Sequence, residues 1–285
     1  YAVMRRIIQQ KLRKNSNIDA ELGLNKWYKY MSSFGLGKVL ETDVSGQRPG
    51  VIPNSKYYDK WYGHLQWKFS TIRSISIGQG EVQITPLQLA NVAAIMANRG
   101  WYYTPHFVKS IGKNGPLDLY KVKHKTMVDR KYFDYVVEGM RRVVHEAGGT
   151  ARLARIENMI VCGKTGTAEN KIRVAGKTYQ LKDHSIFVAF APAEDPKIAI
   201  AVFIENGYWG SRWAGPIATL MIEKYVNGEI SRTDLETRML NGSIQDEYRK
   251  IENIIYQRNE TYTKVKDSIN KIEIKKLEAK KEEEN

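Results

Sequence analysis

The run Gly163-Lys164-Thr165-Gly166-Thr167-Ala168 gathers the residue types that hold an anion against a strand edge. Lys164 supplies a fixed positive charge, while the hydroxyls of Thr165 and Thr167 and the neighbouring backbone N–H groups supply donors. Gly166 lets a ligand lie against the backbone where a side chain would block it. The apolar stretch Met159-Ile160-Val161-Cys162 precedes the run, and a polar segment starts at Glu169, so the spacing predicts a strand from Met159 to Thr167. Gly-Lys-Thr also ends a phosphate-binding loop. That reading fails because Asn158 stands where the loop needs glycine, and because Ala168 to Leu181 has no helical period.

Other reactive side chains are few. Cys162 is the one cysteine, which excludes an internal disulfide and a multi-cysteine metal site; its apolar neighbours make it a buried structural thiol. The histidines, His64, His106, His124, His145 and His184, are dispersed. His145-Glu146 lacks the second histidine of a zinc-protease helix, since residue 149 is Gly149. The histidines read as surface or packed residues, and no metal is expected.

The elements that must position Lys164 can be read from periodicity. Ala2 to Leu12 is a basic amphipathic helix, and Asn25 to Met31 a second, ended by Gly35-Leu36-Gly37. From Thr42 to Phe69 the chain is rich in Gly, Pro, Trp and Tyr, as in a long ordered loop. Thr85-Pro86 is an N-cap followed by a first-turn proline, opening a helix that Arg99-Gly100 closes. Trp101 to Ile111 reads as extended. Asp129 to Glu146 reads as a helix with Tyr132, Val136, Met140 and Val143 inward, stopped by Gly148-Gly149-Thr150-Ala151. Ser185 to Ala191 and Ile198 to Ile204 pair about the turn Asp195-Pro196-Lys197, and Pro216 to Tyr225 is a helix able to pack on the sheet. The core-forming part is expected over 1–228. Residues 229–285, dominated by Lys, Arg, Glu and Asp, are expected to be a charged helical or disordered tail.

With 285 residues, 42% apolar and 11% aromatic, the chain can bury a sizeable core. No stretch of about eighteen apolar residues is present, and the opening Tyr1-Ala2-Val3-Met4-Arg5-Arg6 is no signal peptide, so the sequence reads as a fragment. The net charge of +14 is spread among aromatic and turn residues without a nucleic-acid module, which suits a surface facing an anionic environment rather than nucleic acid.

Taken in order, several blocks resemble one family. Ile77-Gly78-Gln79-Gly80, Thr85-Pro86-Leu87-Gln88-Leu89-Ala90, Asn98-Arg99-Gly100, Gly149-Thr150-Ala151, Lys164-Thr165-Gly166-Thr167-Ala168, Ala189-Phe190-Ala191-Pro192 and Glu205-Asn206-Gly207 are similar to class B penicillin-binding proteins of the elongation type, over roughly Tyr1 to Tyr225. The resemblance implies an α+β fold, an antiparallel sheet with helices on both faces, whose first strands precede this sequence. It implies a D,D-transpeptidase that crosslinks peptidoglycan stem peptides by serine acyl transfer and binds penicillin and other β-lactams, without a cofactor. In that scheme Lys164 provides positive potential, Thr165 and Thr167 hydrogen-bond the substrate carboxylate, Gly166 keeps the strand edge open, and the Thr167 N–H donates to the oxyanion. The implied partners are membrane proteins of the elongation machinery, including a glycosyltransferase. The implied location is the outer, periplasmic face of the cytoplasmic membrane, with an anchor upstream.

The family's nucleophile, a serine in Ser-x-x-Lys, and its Ser-x-Asn element are expected upstream, so this chain carries none. Ser110-Ile111-Gly112-Lys113 matches Ser-x-x-Lys but runs into Asn114-Gly115-Pro116, where no helix can place the lysine below the serine. Ser268-Ile269-Asn270-Lys271 satisfies both patterns with one serine and lies in the charged tail. Two further readings share Lys-Thr-Gly: a β-lactamase or D,D-carboxypeptidase, against which the blocks at Gly78-Gln79-Gly80 and Thr85-Pro86 argue, and a β-lactam sensor or structural domain without turnover.

Overall fold

Two apolar runs and the Lys-Thr-Gly run pair into an antiparallel sheet, each strand alternating its side chains between two faces. A computed structural model describes residues 16–113, 115–174, 176–258, 260 and 263. The expected helix at Ala2 to Leu12 and the Ser268–Lys271 match lie outside them. Helices α1 (Ser16–Ser33), α2 (Ser55–Tyr62) and α3 (Pro86–Ala97) are followed by the short pair β1 (Trp101–Tyr103) and β2 (Lys123–Lys125). Next come α4 (Phe133–His145), β3 (Cys162–Ala168) and the hairpin β4 (Lys171–Val174) and β5 (Lys177–Gln180). β6 (His184–Ala191), β7 (Ile198–Ile204), α5 (Ala214–Asn227) and α6 (Thr233–Leu240) complete the order. A further helical stretch covers 245–258.

The main sheet has the order β3-β6-β7, with Thr165 opposite Phe187 and Ala189 opposite Ile200. Phe187, Ala189 and Ala191 meet Ala214, Ala218 and Ile222 of α5 in one apolar cluster. Phe190 and Cys162 meet Val137 and Met140 of α4 in another, with Met96 and Ala97 of α3 and Ala199 of β7 packed against it. Odd and even positions of β6 therefore face different helices, and the fold is α+β with helices on both faces of an antiparallel sheet. Complete burial of a side chain such as Phe187 or Phe190 stabilises by about 1.5–3 kcal/mol.

Helix α3 starts where Thr85 and Gln88 form a reciprocal capping box with Pro86 at the first turn. Buried Gln88 also donates through Nε2 to the carbonyls of Lys38 and Pro49, both at 3.0 Å, and so ties the 35–50 segment to the helix. Several expectations shift. The Thr42–Phe69 stretch is not all loop, because Asn54 caps α2, whose buried Tyr58 packs on Trp67. Of Trp101 to Ile111, only Trp101–Tyr103 is a strand. The inward stripe of α4 is Phe133, Val137, Met140 and Val144; Tyr132 and Val136 are exposed and Val143 is only partly buried. Both stripes are apolar at helical spacing, and which one turns inward depends on where β3 lies. The polar stretch after Ala168 forms the β4–β5 hairpin. Among the described residues no helix is long and apolar enough to cross a membrane.

Candidate functional site

Strand β3 begins at Cys162, three residues later than the apolar run alone suggests, and carries Lys164, Thr165, Gly166 and Thr167 along a sheet edge. Its start is pinned on two sides. The Val161 N–H donates to His145 Nε2 at 3.1 Å, so the imidazole at the end of α4 is an acceptor there. Burial, reinforced by the charges of Arg155 and Arg141, holds the His145 pKa below its ordinary value. Cys162 is buried, and burial pushes its thiol up to about 11, as a structural cysteine requires. At Gly163 a methyl group would sit 2.3 Å from the Phe187 ring, so only glycine lets the strand pass that side chain.

Side chains alternate across β3. Lys164 is exposed on the α3–α4 side, whereas Thr165 lies with Phe187 on the α5 side. The Thr165 carbonyl accepts from Lys164 Nζ at 2.6 Å, and the Thr167 carbonyl accepts a long 3.4 Å bond from Gln79 Nε2. Neither donor belongs to β6, so the backbone groups of Thr165 and Thr167 face the open edge rather than the neighbouring strand. The Thr167 N–H thus shares an edge with the lysine. Lys164 forms no ion pair among the described residues. The arrangement offers a cation, two hydroxyls and a strand edge that no other strand pairs among the described residues, which could receive a carboxylate in the way a further strand would be received.

Two residues beside the strand were not singled out as site residues from sequence. Thr150 lies 2.9 Å from Thr165, hydroxyl to hydroxyl, and is brought there by the tight exit from α4, where Gly149 approaches the Val143 carbonyl too closely for any Cβ. Gln79 arrives on the turn after Ile77, with Gly78 and Gly80 both at positive φ. Their blocks, Gly78-Gln79-Gly80 and Gly149-Thr150-Ala151, were the available signal. The loop between β7 and α5 backs the strand: a methyl at Gly210 would lie 3.0 Å from the Gly166 carbonyl oxygen and 3.1 Å from Thr165 Cβ.

The remaining candidates stay apart from this edge. Ser110 and Lys113 are exposed on an irregular segment with Gly112 at positive φ, where no helix stacks them. His106 stacks on Tyr120, and His124 on Tyr102. His184 accepts from the Asn206 N–H. His64 meets Asp59, and with Glu21 these place three ligand-type atoms within 4.8 Å of one another, a grouping the sequence reading did not anticipate; Asp59 also receives the Trp67 indole N–H at 2.8 Å.

The sequence profile of the penicillin binding protein transpeptidase domain matches residues 8–223. Peptidoglycan D,D-transpeptidase MrdA of Haemophilus influenzae is 31% identical over 225 residues, which are 75% of this chain and 34% of that protein. The crystal structure of Pseudomonas aeruginosa PBP2 in complex with WCK 5153 superposes with a TM-score of 0.62 at 32% identity, over 76% of this chain and 46% of that one. A structure of a peptidoglycan synthase complex, described as coordinating polymerization and crosslinking, superposes with a TM-score of 0.61 at 28% identity, over 75% and 35% of the two chains. The chain spans about a third of the length of the curated relatives it matches. With most of its length inside the matched domain, the chain belongs to the penicillin-binding protein transpeptidase family.

Proposed function

We propose that this chain forms the carboxylate-holding half of the active site of a peptidoglycan D,D-transpeptidase of the elongation type. The observation that carries the reading is the open β3 edge, where among the described residues Lys164 stands without a carboxylate partner and the Thr165 and Thr167 backbone groups face away from β6. Lys164 supplies the positive potential that draws in the terminal carboxylate of a stem peptide, or of a β-lactam that imitates it. Thr165 and Thr167 donate hydroxyl hydrogen bonds to that carboxylate, and Gly166 leaves the backbone accessible. As the acyl carbonyl becomes tetrahedral, the Thr167 N–H stabilises the oxyanion, a donor fixed in place before charge develops. The attacking serine belongs to a Ser-x-x-Lys element outside this sequence, so the residues here bind and polarise but form no covalent bond.

The whole protein is placed by this reading on the outer face of the cytoplasmic membrane, held by an anchor outside this sequence. Its partners are peptidoglycan stem peptides and elongation-machinery membrane proteins, including a glycosyltransferase. Similarity to a chain of a complex that joins polymerization to crosslinking supports the last of these.

Replacing Lys164 with alanine in the full-length protein tests the reading. Loss of a charge-assisted hydrogen bond, worth about 1.5–3 kcal/mol, should slow acylation by a fluorescent penicillin about 10- to 100-fold. Acylation at the wild-type rate would sink the assignment of the strand. Expressed by itself, the present chain should take no covalent label; a labelled serine would locate a nucleophile within it.

A further inference from the structure

The matched domain ends at residue 223, yet the chain beyond it is bonded to α5 and to the segment before β3, and packs on the loop that backs the candidate strand. Glu223 on α5 is fully buried, and its carboxylate accepts from the Ser231 N–H (3.0 Å), the Ser231 hydroxyl and Arg232 Nε (2.8 Å). Burial works to raise the Glu223 pKa, but these hydrogen bonds and the guanidinium charge outweigh it and hold the carboxyl below its ordinary value. Arg232 also donates to the Arg155 carbonyl at 3.1 Å, which fastens the turn after α5 to the segment leading into β3.

From this clamp α6 leads to Gly242, which lies flat on the Trp213 indole. A methyl group there would come within 2.3 Å and 2.4 Å of the far ring carbons Cη2 and Cζ3. Trp213 ends the 206–213 loop and caps α5, its carbonyl accepting from the Ile217 N–H. The same loop is held at its middle by Ser185, whose hydroxyl donates to the Trp209 carbonyl at 2.8 Å and accepts from the Ala214 N–H at 3.2 Å. Three residues before Trp213, the Gly210 backbone rests on Thr165 and Gly166. A path therefore runs from Gly242 to the Trp213 indole, along the loop backbone to Gly210, and from Gly210 onto the proposed substrate strand. The space left beside it, a cavity of about 580 Å³ lined by Leu153, Trp209, Arg212, Trp213, Arg238 and Gly242 among others, is roomy enough for the loop to shift if the indole is released.

We propose that residues 229–243, which follow the matched domain, are a positioning element: pressed on Trp213, they hold the 206–213 loop against Thr165 and Gly166 and so set where the strand edge meets substrate. This rests on the reading of Lys164–Thr167 as the substrate strand. The elements around it do not make this extension a catalytic part, because none of its side chains approaches the open edge.

A double-mutant cycle in the full-length protein, read as the saturating rate constant for acylation by a fluorescent penicillin, tests the path. Gly242→Ala inserts a methyl into the indole and should slow that step about tenfold, within what a displacement of about 1 Å costs a positioned reaction. Trp213→Phe removes the far ring carbons that the methyl meets, so the double variant should acylate no more slowly than Trp213→Phe alone. A wild-type rate constant in Gly242→Ala, a loss that only lowers the labelled fraction, or a loss that Trp213→Phe does not relieve would each overturn the proposal. Lys164→Ala in the same assay separates the two readings. If it too is without effect, the strand assignment has failed; if it is slow while Gly242→Ala is not, only the brace has.

Discussion

The Thr150 hydroxyl reaches Thr165 from outside the strand, and on the proposed reading its effect on acylation can be separated from that of Lys164. A neutral hydrogen bond is worth about 1 kcal/mol net, so Thr150→Val should slow penicillin acylation about fivefold while Thr150→Ser stays near wild type. Equal rates for Val and wild type would mean that the bond does not position Thr165. His145 acts on stability rather than chemistry. Its folded pKa is depressed, so the unfolded chain binds more protons, and stability falls as pH drops below about 6.5, the unfolded value. Thermal melts from pH 7.5 to 5 should show this loss in the wild type and a flatter profile in His145→Gln; parallel profiles would dismiss the histidine as its source. Lys164, Thr165, Gly166 and Thr167 can be proposed from sequence because a short motif needs no partners to be read. Thr150 and Gln79 were legible only as blocks, since a hydroxyl or an amide becomes a site residue through what it touches.

At the scale of elements, the clearest features are those decided within a few residues. The Thr85-Pro86 start of α3 is local chemistry, and the structure shows the complete capping box. Thr85→Ala should cost about 1 kcal/mol in a denaturant melt, with the slope unchanged. Gly163→Ala should cost more, about 1–3 kcal/mol, because the methyl must displace the buried Phe187 ring; a change below about 0.5 kcal/mol would show that the ring moves freely. The stripe of α4 was misjudged by one residue for the opposite reason. Tyr132/Val136 and Phe133/Val137 are equally apolar in pattern, and only the position of β3 selects between them. Helix α2 was hidden because Tyr57, Tyr58 and Trp61 look like loop aromatics until Trp67 packs against Tyr58.

Across the whole molecule, the sheet has two free edges among the described residues, β3 and β7, and they differ in kind. The β3 edge is guarded by lysine, threonine and glycine, while β7 reads Ile-Ala-Ile-Ala-Val-Phe-Ile, a row that invites another strand. Hydrogen exchange on this chain should protect the β6 amides strongly and leave the β7 amides that point away from β6 fast. Coexpression with the upstream part of the protein should slow them. Uniform protection of β7 in the isolated chain would mean that its outer edge is already paired.

The sequence by itself determined the chemistry on offer. A lysine, two hydroxyls and a glycine on a strand, in ordered blocks with a capped helix and two pairing strands, specify an α+β sheet and carry the proposal of an anion-binding edge on it. These are local patterns, carried by residue type and spacing. Tertiary structure decided what surrounds that edge: the Thr150 and Gln79 contacts, the histidine under Val161, and the Glu223–Arg232 clamp that ties a charged extension to α5 and to the segment leading into β3. Those depend on groups brought together from different elements, 9 to 88 residues apart along the chain. No local period records such meetings, because their energy comes from packing and from desolvated hydrogen bonds that exist only once the chain has closed on itself.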